Sequence, residues 1–302
     1  MREGGVLISG ATGLVGRRLV PRLAERFARV RTLSRSGGAA RGRIEPASWD
    51  GVDPGAAALG GLEAVVHLAG EPIFGGLPTK ARLERIRESR VASTRRIVER
   101  MAALAPDTRP KTFVCASAVG IYGDRGEERF DEQAAPGTGF LAELCRDWEA
   151  EAAQAEALGV RVVSLRIGVV LAREGGALAL MRIPFSLGLG GRLGDGRQFF
   201  PWIHLDDLVE AALFALERDD LRGAVNAVAP EAVRNLELTQ ALAGVLGRPA
   251  VLPAPAFAMR AALGVLAGEL LGSRQVVPAK LLAAGFAFRH PTLEGALREA
   301  LG

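Results

Sequence analysis

Lysine, tyrosine, histidine and cysteine are all scarce in this chain. Among 302 residues there are three lysines (Lys80, Lys111 and Lys280), one tyrosine (Tyr122), three histidines and two cysteines. Cys115 and Cys145 sit inside apolar or helical stretches without metal-ligand spacing. That excludes a disulfide framework, predicts buried free thiols in a reducing compartment, and leaves no metal site to expect. No apolar run reaches the roughly 18 residues that a membrane span needs. The N-terminus runs straight into a strand pattern, with no charged-then-apolar leader. A soluble, cytoplasmic protein with no membrane partner is therefore expected. Arginine carries nearly all the positive charge behind a net charge of +4. The arginines are scattered among acids on helical stretches, with no basic run and no interleaved aromatics, so no nucleic-acid partner is expected. Internal repeats and low-complexity segments are missing too.

What is present is apolar material and glycine. Hydrophobic residues make up 49% of the chain, and its length predicts a large α/β domain with a smaller appendage. The organising stretch is Ile8-Ser9-Gly10-Ala11-Thr12-Gly13-Leu14-Val15-Gly16-Arg17-Arg18. The apolar run Val6-Leu7-Ile8 leads in and an amphipathic segment over 14–26 leads out. Strand, glycine turn and helix are the context a dinucleotide fingerprint requires, although the spacing is G-x-x-G-x-x-G rather than G-x-G-x-x-G. Gly10 permits a tight turn, Gly13 lets a pyrophosphate approach the backbone, and Gly16 lets the helix pack close to the strand. The free N–H groups at the helix start then face the phosphates. The second strand pattern ends in Ser34-Arg35-Ser36, with no acid. An acid there binds the ribose 2′-hydroxyl of NAD, whereas an arginine accommodates the 2′-phosphate of NADP. The pattern predicts NADP(H), with Arg35 as the phosphate partner.

Strand patterns recur at 63–70, 113–117, 161–170 and 225–228, separated by helical patterns at 80–104, 140–158 and from Asp206 onward. This alternation predicts an α/β fold, a Rossmann-like doubly wound parallel sheet with a smaller, mainly helical C-terminal substrate domain. The Rossmann domain is expected over 1–170, also receiving part of 197–230. The substrate-side region is expected over 171–302, mainly helical from about 235, with helices at 236–246, 257–271, 278–284 and 293–301. Ala69-Gly70 end a strand buried on both faces and are expected to line the cofactor groove. His67, inside that strand, reads as a packed residue. Ser117 ends the next strand and runs into a small-residue turn placed for function, Ala118-Val119-Gly120-Ile121-Tyr122-Gly123. On the basic face of the helix at 80–104, Arg90 is the residue able to turn inward. His204 reads as a structural hydrogen-bonding group at a helix start, and Asp206 and Asp207 as caps.

Gly10-Ala11-Thr12-Gly13-Leu14-Val15-Gly16, Val66-His67-Leu68-Ala69-Gly70, Ser117 with Tyr122-Gly123, and Trp202-Ile203-His204-Leu205-Asp206-Asp207-Leu208 together resemble the extended short-chain dehydrogenase/reductase superfamily. More narrowly, the chain resembles the atypical nucleoside-diphosphate-sugar epimerase-like branch. The segments that carry this are Leu68-Ala69-Gly70-Glu71-Pro72-Ile73, Ser89-Arg90, Ala116-Ser117-Ala118-Val119-Gly120, Trp148-Glu149, Arg166-Ile167-Gly168-Val169-Val170-Leu171 and Gly285-Phe286-Ala287-Phe288. The resemblance implies NADP(H) across the strand ends and a small-molecule substrate in a crevice under the C-terminal domain. It implies cofactor contacts at the glycine turn (Gly10, Thr12, Gly13, Leu14, Val15 and Gly16), at Ser34 and Arg35, at Leu68 and Ala69, and at Arg90 and Val169; Gly70, at its strand end, and Ala116 are expected to join them. It also implies a monomer or a homodimer. The superfamily's acid/base step uses a tyrosine and a lysine four positions later, the lysine charge lowering a phenol pKa of about 10. Here Gly126 follows Tyr122 at that distance, and Phe140 and Leu144 stand where the pair is expected. The candidate catalytic residues are then Ser117, holding the substrate oxygen, and Tyr122, with His204 or water as other proton relays. One function that follows is an NADP(H)-binding, epimerase-like oxidoreductase acting on a small or nucleotide-linked carbonyl or hydroxyl substrate. The alternative is a catalytically inactive NADP(H)-binding sensor or interaction protein.

Overall fold

The computed structural model describes residues 2–34, 39–55 and 58–302. In chain order the first elements are β1 (Arg2–Ser9), α1 (Leu14–Arg26), β2 (Phe27–Ser34), β3 (Ile44–Ser48), β4 (Leu62–His67), α2 (Lys80–Glu88), α3 (Val91–Ala102) and β5 (Thr112–Ala118). Then come β6 (Arg129–Phe130), α4 (Phe140–Ala153), β7 (Arg161–Ile167), β8 (Val169–Leu171), α5 (Gly176–Ser186), β9 (Trp202–His204), α6 (Leu205–Glu217) and β10 (Gly223–Ala227). The C-terminal elements are α7 (Asn235–Leu246), α8 (Ala256–Leu263), α9 (Ala267–Leu271), β11 (Gln275–Val276), α10 (Ala279–Ala283) and α11 (Leu293–Leu301).

Among the described residues, seven strands form one parallel sheet in the order β10-β7-β5-β4-β1-β2-β3. The order reverses between β1 and β4, and the crevice at the carboxyl ends of those strands is where such sheets bind ligands. The strands read as continuous apolar runs because both faces are covered. Along β1, Val6 and Ile8 pack with Leu19 and Leu23 of α1 and Leu205 and Val209 of α6. Leu7, pointing the other way, packs with Ile97 and Met101 of α3. The same alternation along β5 sends Val114 to the first layer and Phe113 and Cys115 to the second. Both cysteines are buried and free. No helix among the described residues is long and apolar enough to cross a membrane.

Three expected elements are broken, each by an identifiable residue. The helix expected over 80–104 splits at Ser89–Arg90, where the Ser89 hydroxyl donates to the Ile86 carbonyl and accepts from the Glu71 N–H. The strand expected over 161–170 stops at Ile167, because Gly168 passes so close to Val228 and Pro201 that a Cβ would lie 2.9 Å from the one and 3.0 Å from the other. Beyond it, β8 leaves the sheet to pair with β9. The helix expected over 257–271 is interrupted at Gly264, in the left-handed region at φ +52° and packed on Pro78. That contact brings the α8–α9 pair over the loop that follows β4. A strap at 272–277 then pairs with the loop after β5: Ser273 binds Asp124 and Gly126, and β11 runs parallel to β6.

Candidate functional site: a dinucleotide groove with a buried polar network

The glycine turn is as tight, and the helix as close to the strand, as the spacing predicts. Gly10 lies at φ +73°, and a Cβ there would sit 2.8 Å from the Leu68 carbonyl carbon and 2.9 Å from the Ala69 nitrogen. Leu68 and Ala69 are thus pressed against the turn from the neighbouring strand. At Gly16 a Cβ would come within 2.1 Å of the Gly10 carbonyl oxygen, so only glycine lets α1 start this close to β1. Gly13 caps α1 without a side chain, no acid stands in the first turn, and Thr12 and Gly13 are exposed. The partial positive end of the helix therefore opens onto the groove beside Leu14 and Val15. The Arg17 guanidinium holds the Thr12 carbonyl at 2.7 Å. Gly175, the cap of α5, and Gly176, its first residue, pack on Leu14, and Gly176 also lies against the Val170 carbonyl of β8, the strand that begins at Val169. Ser34 ends β2 beside Leu33, the partner of Ser9. Arg35 lies outside the described residues.

The helix break at Ser89–Arg90 turns Arg90 toward this groove. Its guanidinium lies over Trp148, 5.3 Å from the ring centre, and a Cβ on Gly70 would come within 2.9 Å of its central carbon. Its hydrogen bonds go to the Ile86 carbonyl and the Ser89 hydroxyl, and among the described residues it forms no ion pair. Burial lowers its pKa to about 10, with Cys145 and Glu71 working the other way. Arg90 is thus a half-buried guanidinium with no ion pair among the described residues, lying on Gly70 three residues beyond the end of β4.

His67 is structural, as its apolar surroundings suggest. The Ala69 N–H donates to Ser9 Oγ at 3.3 Å, and the Ser9 hydroxyl donates to His67 Nδ1 at 2.5 Å. His67 Nε2–H donates to Ser93 Oγ at 3.1 Å, and that hydroxyl donates to the Ser89 carbonyl at 2.8 Å. This chain of bonds ties the groove floor to the helix break that carries Arg90. It fixes the neutral tautomer, and burial followed by the Arg90 charge lowers the imidazole pKa to about 3.

The sheet register builds a second cluster. Ser117 on β5 is paired with Arg166 on β7, and Arg166 with Asn226 on β10. Glu149 reaches in from α4. Its carboxylate takes a two-pronged bond from Arg166 at 2.9 and 2.8 Å, and Oε1 also accepts the Ser117 hydroxyl at 2.6 Å. Tyr122 is fully buried; its hydroxyl donates to Asn226 Oδ1 at 2.7 Å and accepts from Arg166 at 2.8 Å. Burial raises the phenol pKa even though Arg166 opposes it. Burial also works against the Arg166 charge, but the Glu149 carboxylate more than offsets this and raises its pKa. Ser117 and Tyr122 therefore share one network and meet through Glu149 and Arg166 rather than directly. Ala116, one residue earlier on β5, is buried.

Two residues important here escaped the sequence reading as site members. Glu149 enters the sequence reading only within the Trp148-Glu149 segment of the family resemblance, with no role attached. Glu269, in the short helix α9, sits above the turn after β5, its Oε2 3.1 Å from where a Gly120 Cβ would be. Its ionic partner is Arg274, at 3.0 Å. Burial raises its carboxyl pKa, with Arg274 opposing. Elsewhere, His204 accepts the Asp206 N–H at 3.2 Å and so caps α6. Asp207 does not cap: its carboxylate receives the N–H groups of Arg289 and His290 at 2.7 and 3.0 Å and pins the C-terminal segment. His204, Asp206 and His290 come within 4.8 Å of one another. The capping bond uses the Nδ1 lone pair of His204 and leaves its proton on Nε2, so this imidazole is not set up as a metal ligand.

On the α5 side of the groove, an apolar cavity of about 190 Å³ is lined by Met181, Phe185, Leu189, Leu238 and Leu242 among others. Beside it lies an open hollow of about 500 Å³ lined by Arg192, Asp195, Gln198 and Arg260 among others.

A model of the NAD dependent epimerase/dehydratase family matches residues 6–228, and a domain of unknown function, DUF1731, matches residues 254–300. The chain is 40% identical to the epimerase family protein SDR39U1 homolog, chloroplastic, of Arabidopsis thaliana, over 97% of this chain and 85% of that protein. The crystal structure of human epimerase family protein SDR39U1 (isoform 2) with NADPH superposes with a TM-score of 0.86 at 33% identity, covering 98% of each chain. A crystal structure of the nucleoside-diphosphate sugar epimerase from Corynebacterium glutamicum superposes with a TM-score of 0.80 at 36% identity, over 99% of this chain and 58% of that one.

Proposed function

Because the chain belongs to the NAD dependent epimerase/dehydratase family, we propose that it is an NADP(H)-dependent oxidoreductase acting on a small carbonyl or hydroxyl substrate. The observation that carries this reading is Arg90, a cation without an ion pair among the described residues, held on Gly70 beside a glycine turn that only an unsubstituted backbone can form. The groove fits a dinucleotide. The free start of α1 at Gly13–Leu14–Val15 receives the diphosphate, Leu68, Ala69 and Gly70 form its floor, and Arg90 supplies charge within it. The absence of an acid after Ser34, together with Arg35, favours the 2′-phosphorylated form. The NADPH in the human relative supports the same choice.

When bound, the cofactor supplies or accepts hydride at a substrate carbon. The chain's own task is to hold the substrate oxygen and manage its proton. Ser117, next to last in β5, has its hydrogen committed to Glu149, which leaves its oxygen lone pairs to accept from a substrate hydroxyl. Tyr122 acts more remotely: its hydroxyl is spent on Asn226 and Arg166, so it reaches Ser117 only by positioning Arg166 and Glu149. The substrate lies in the crevice under α5 and α8–α9. We place the protein in a reducing cytoplasm, a reading supported by its two buried free thiols.

The missing tyrosine–lysine pair favours a second reading, a cofactor-binding sensor without turnover. A panel of aldehydes and ketones, followed by loss of NADPH absorbance, separates the two. Turnover that falls at least tenfold in Ser117→Ala supports the enzyme. Tight NADPH binding with no turnover across the panel supports the sensor.

A further inference from the structure

We propose that Glu269 is the proton-transferring group of this site, delivered by the C-terminal region to the turn after β5 in place of the absent tyrosine–lysine pair. The inference rests on the cofactor reading above.

Three observations support it. First, position: Gly120 lies two residues beyond the end of β5, and because it carries no side chain the Glu269 carboxylate can approach, its Oε2 3.1 Å from where a Cβ would be. Leu141 of α4 borders the same spot, its Cβ 3.1 Å from the would-be Gly120 Cβ. In a doubly wound sheet the adenosine half of a dinucleotide lies toward β2, so the nicotinamide half falls over the carboxyl ends of β4, β5 and β7. Gly120 is on that side. Second, delivery: the carboxylate is held by design of the strap. Asp124 accepts the Ser273 N–H at 3.0 Å, the Arg125 N–H donates to the Ser273 carbonyl at 2.9 Å, and β11 pairs with β6. Arg274 bonds the Glu269 and Gly268 carbonyls at 3.2 and 3.4 Å while pairing with the carboxylate at 3.0 Å. Third, elimination within the crevice: the Tyr122 and Ser117 hydroxyls are committed, and Cys145 has its thiol pushed up to about 12 by burial and the Glu149 charge.

The groups facing Glu269 are few. Arg274 lies on its own strap. Cys145, on α4, feels both the Glu269 and Glu149 charges, and Arg90 lies beyond it. Burial raises the carboxyl pKa, the direction that favours a group able to carry a proton, and the Arg274 charge opposes it. In the reductive direction the dinucleotide, when bound, would supply the hydride to the carbonyl carbon. The Glu269 carboxyl gives its proton to the carbonyl oxygen, an O–H bond forms as the carboxyl O–H breaks, and a carboxylate remains. The products are an alcohol and the oxidised cofactor. Glu269 is partly exposed and recovers its proton from solvent.

The test needs no substrate. A carboxylate near the nicotinamide ring favours the oxidised, positively charged ring over the neutral reduced one. The dissociation constants of NADPH and NADP⁺ are measured between about pH 5 and pH 9 for the full chain, and their ratio is taken. Titration of the 2′-phosphate, with a pKa of about 6, affects both forms alike and cancels. The ratio of the NADPH to the NADP⁺ constant is expected to rise on the order of three- to tenfold with pH in the wild type. It should stay flat in Glu269→Gln and rise again in Glu269→Asp. The double variant Glu269→Gln/Arg274→Met, which leaves no unpaired charge, serves if the single variant does not fold. A flat ratio in the wild type, or a rise that survives removal of the carboxylate, overturns the proposal. Failure of the wild type to bind either nucleotide removes the cofactor reading instead.

Discussion

Replacing His67 with glutamine should flatten the acid side of the stability curve. In the folded protein the imidazole lies buried between Ser9 and Ser93, its pKa lowered from 6.5 to about 3. An unfolded chain binds the proton near pH 6.5, so the folded state is fully favoured above that value. Stability is lost as pH falls from 6.5 toward 3, because only the unfolded state takes up the proton in that window. At about pH 4.5 two units of that window have been crossed, and at 1.36 kcal/mol per unit the loss is about 2.7 kcal/mol. Every other ionisable group is common to wild type and variant, so the difference between the two curves isolates His67. Urea unfolding at pH 7.5 and 4.5 is the assay. The variant should be less stable at pH 7.5, by about 1–3 kcal/mol for the unsatisfied serines. Its further loss on acidification should be smaller than the wild type's by about 2.7 kcal/mol. Equal losses would mean that His67 takes up its proton while folded, and the chain of bonds from Ala69 to Ser89 would then be misassigned.

Gly16→Ala should cost about 1–3 kcal/mol in urea unfolding and abolish NADPH binding in a titration, since the new Cβ meets the Gly10 carbonyl at 2.1 Å. Unchanged affinity would detach the turn from the cofactor. Arg166→Met should cost about 3–5 kcal/mol, because it strands the Glu149 carboxylate at a nearly buried site. The double variant Glu149→Leu/Arg166→Met should cost clearly less than the two single changes added together. Additive losses, again by urea unfolding, would show that the two groups act independently.

Much of the fold was legible because its signals are local. Strands buried on both faces, such as Glu63 to His67, read as continuous apolar runs, and the glycines at 10, 13 and 16 announce the turn between β1 and α1. What escaped was set by distance in the chain. The periodicity over 80–104 continues through Ser89, and nothing in it marks the bond from the Glu71 N–H that favours the break and turns Arg90 inward. Tyr122 stands five residues after Ser117, close enough to suggest a shared site. Its actual partners, Asn226 and Arg166, are fixed by strand register across β7 and β10. Glu269 lies about 150 residues beyond Gly120 and is one acid in an otherwise apolar short helix, so no pattern links the two. The fold brings them together only through the strap paired with the loop after β5.

An anionic, 2′-phosphorylated dinucleotide lying over Gly13 and Arg90 is the central premise of the proposed chemistry. The most direct measurement is calorimetric titration of the purified chain with NADPH, with NADH, and with NADPH against Arg90→Met. One NADPH per chain, bound at least tenfold more tightly than NADH and at least tenfold more weakly by the variant, is the predicted result. No binding, or equal affinity for both nucleotides with no effect of removing Arg90, would contradict it.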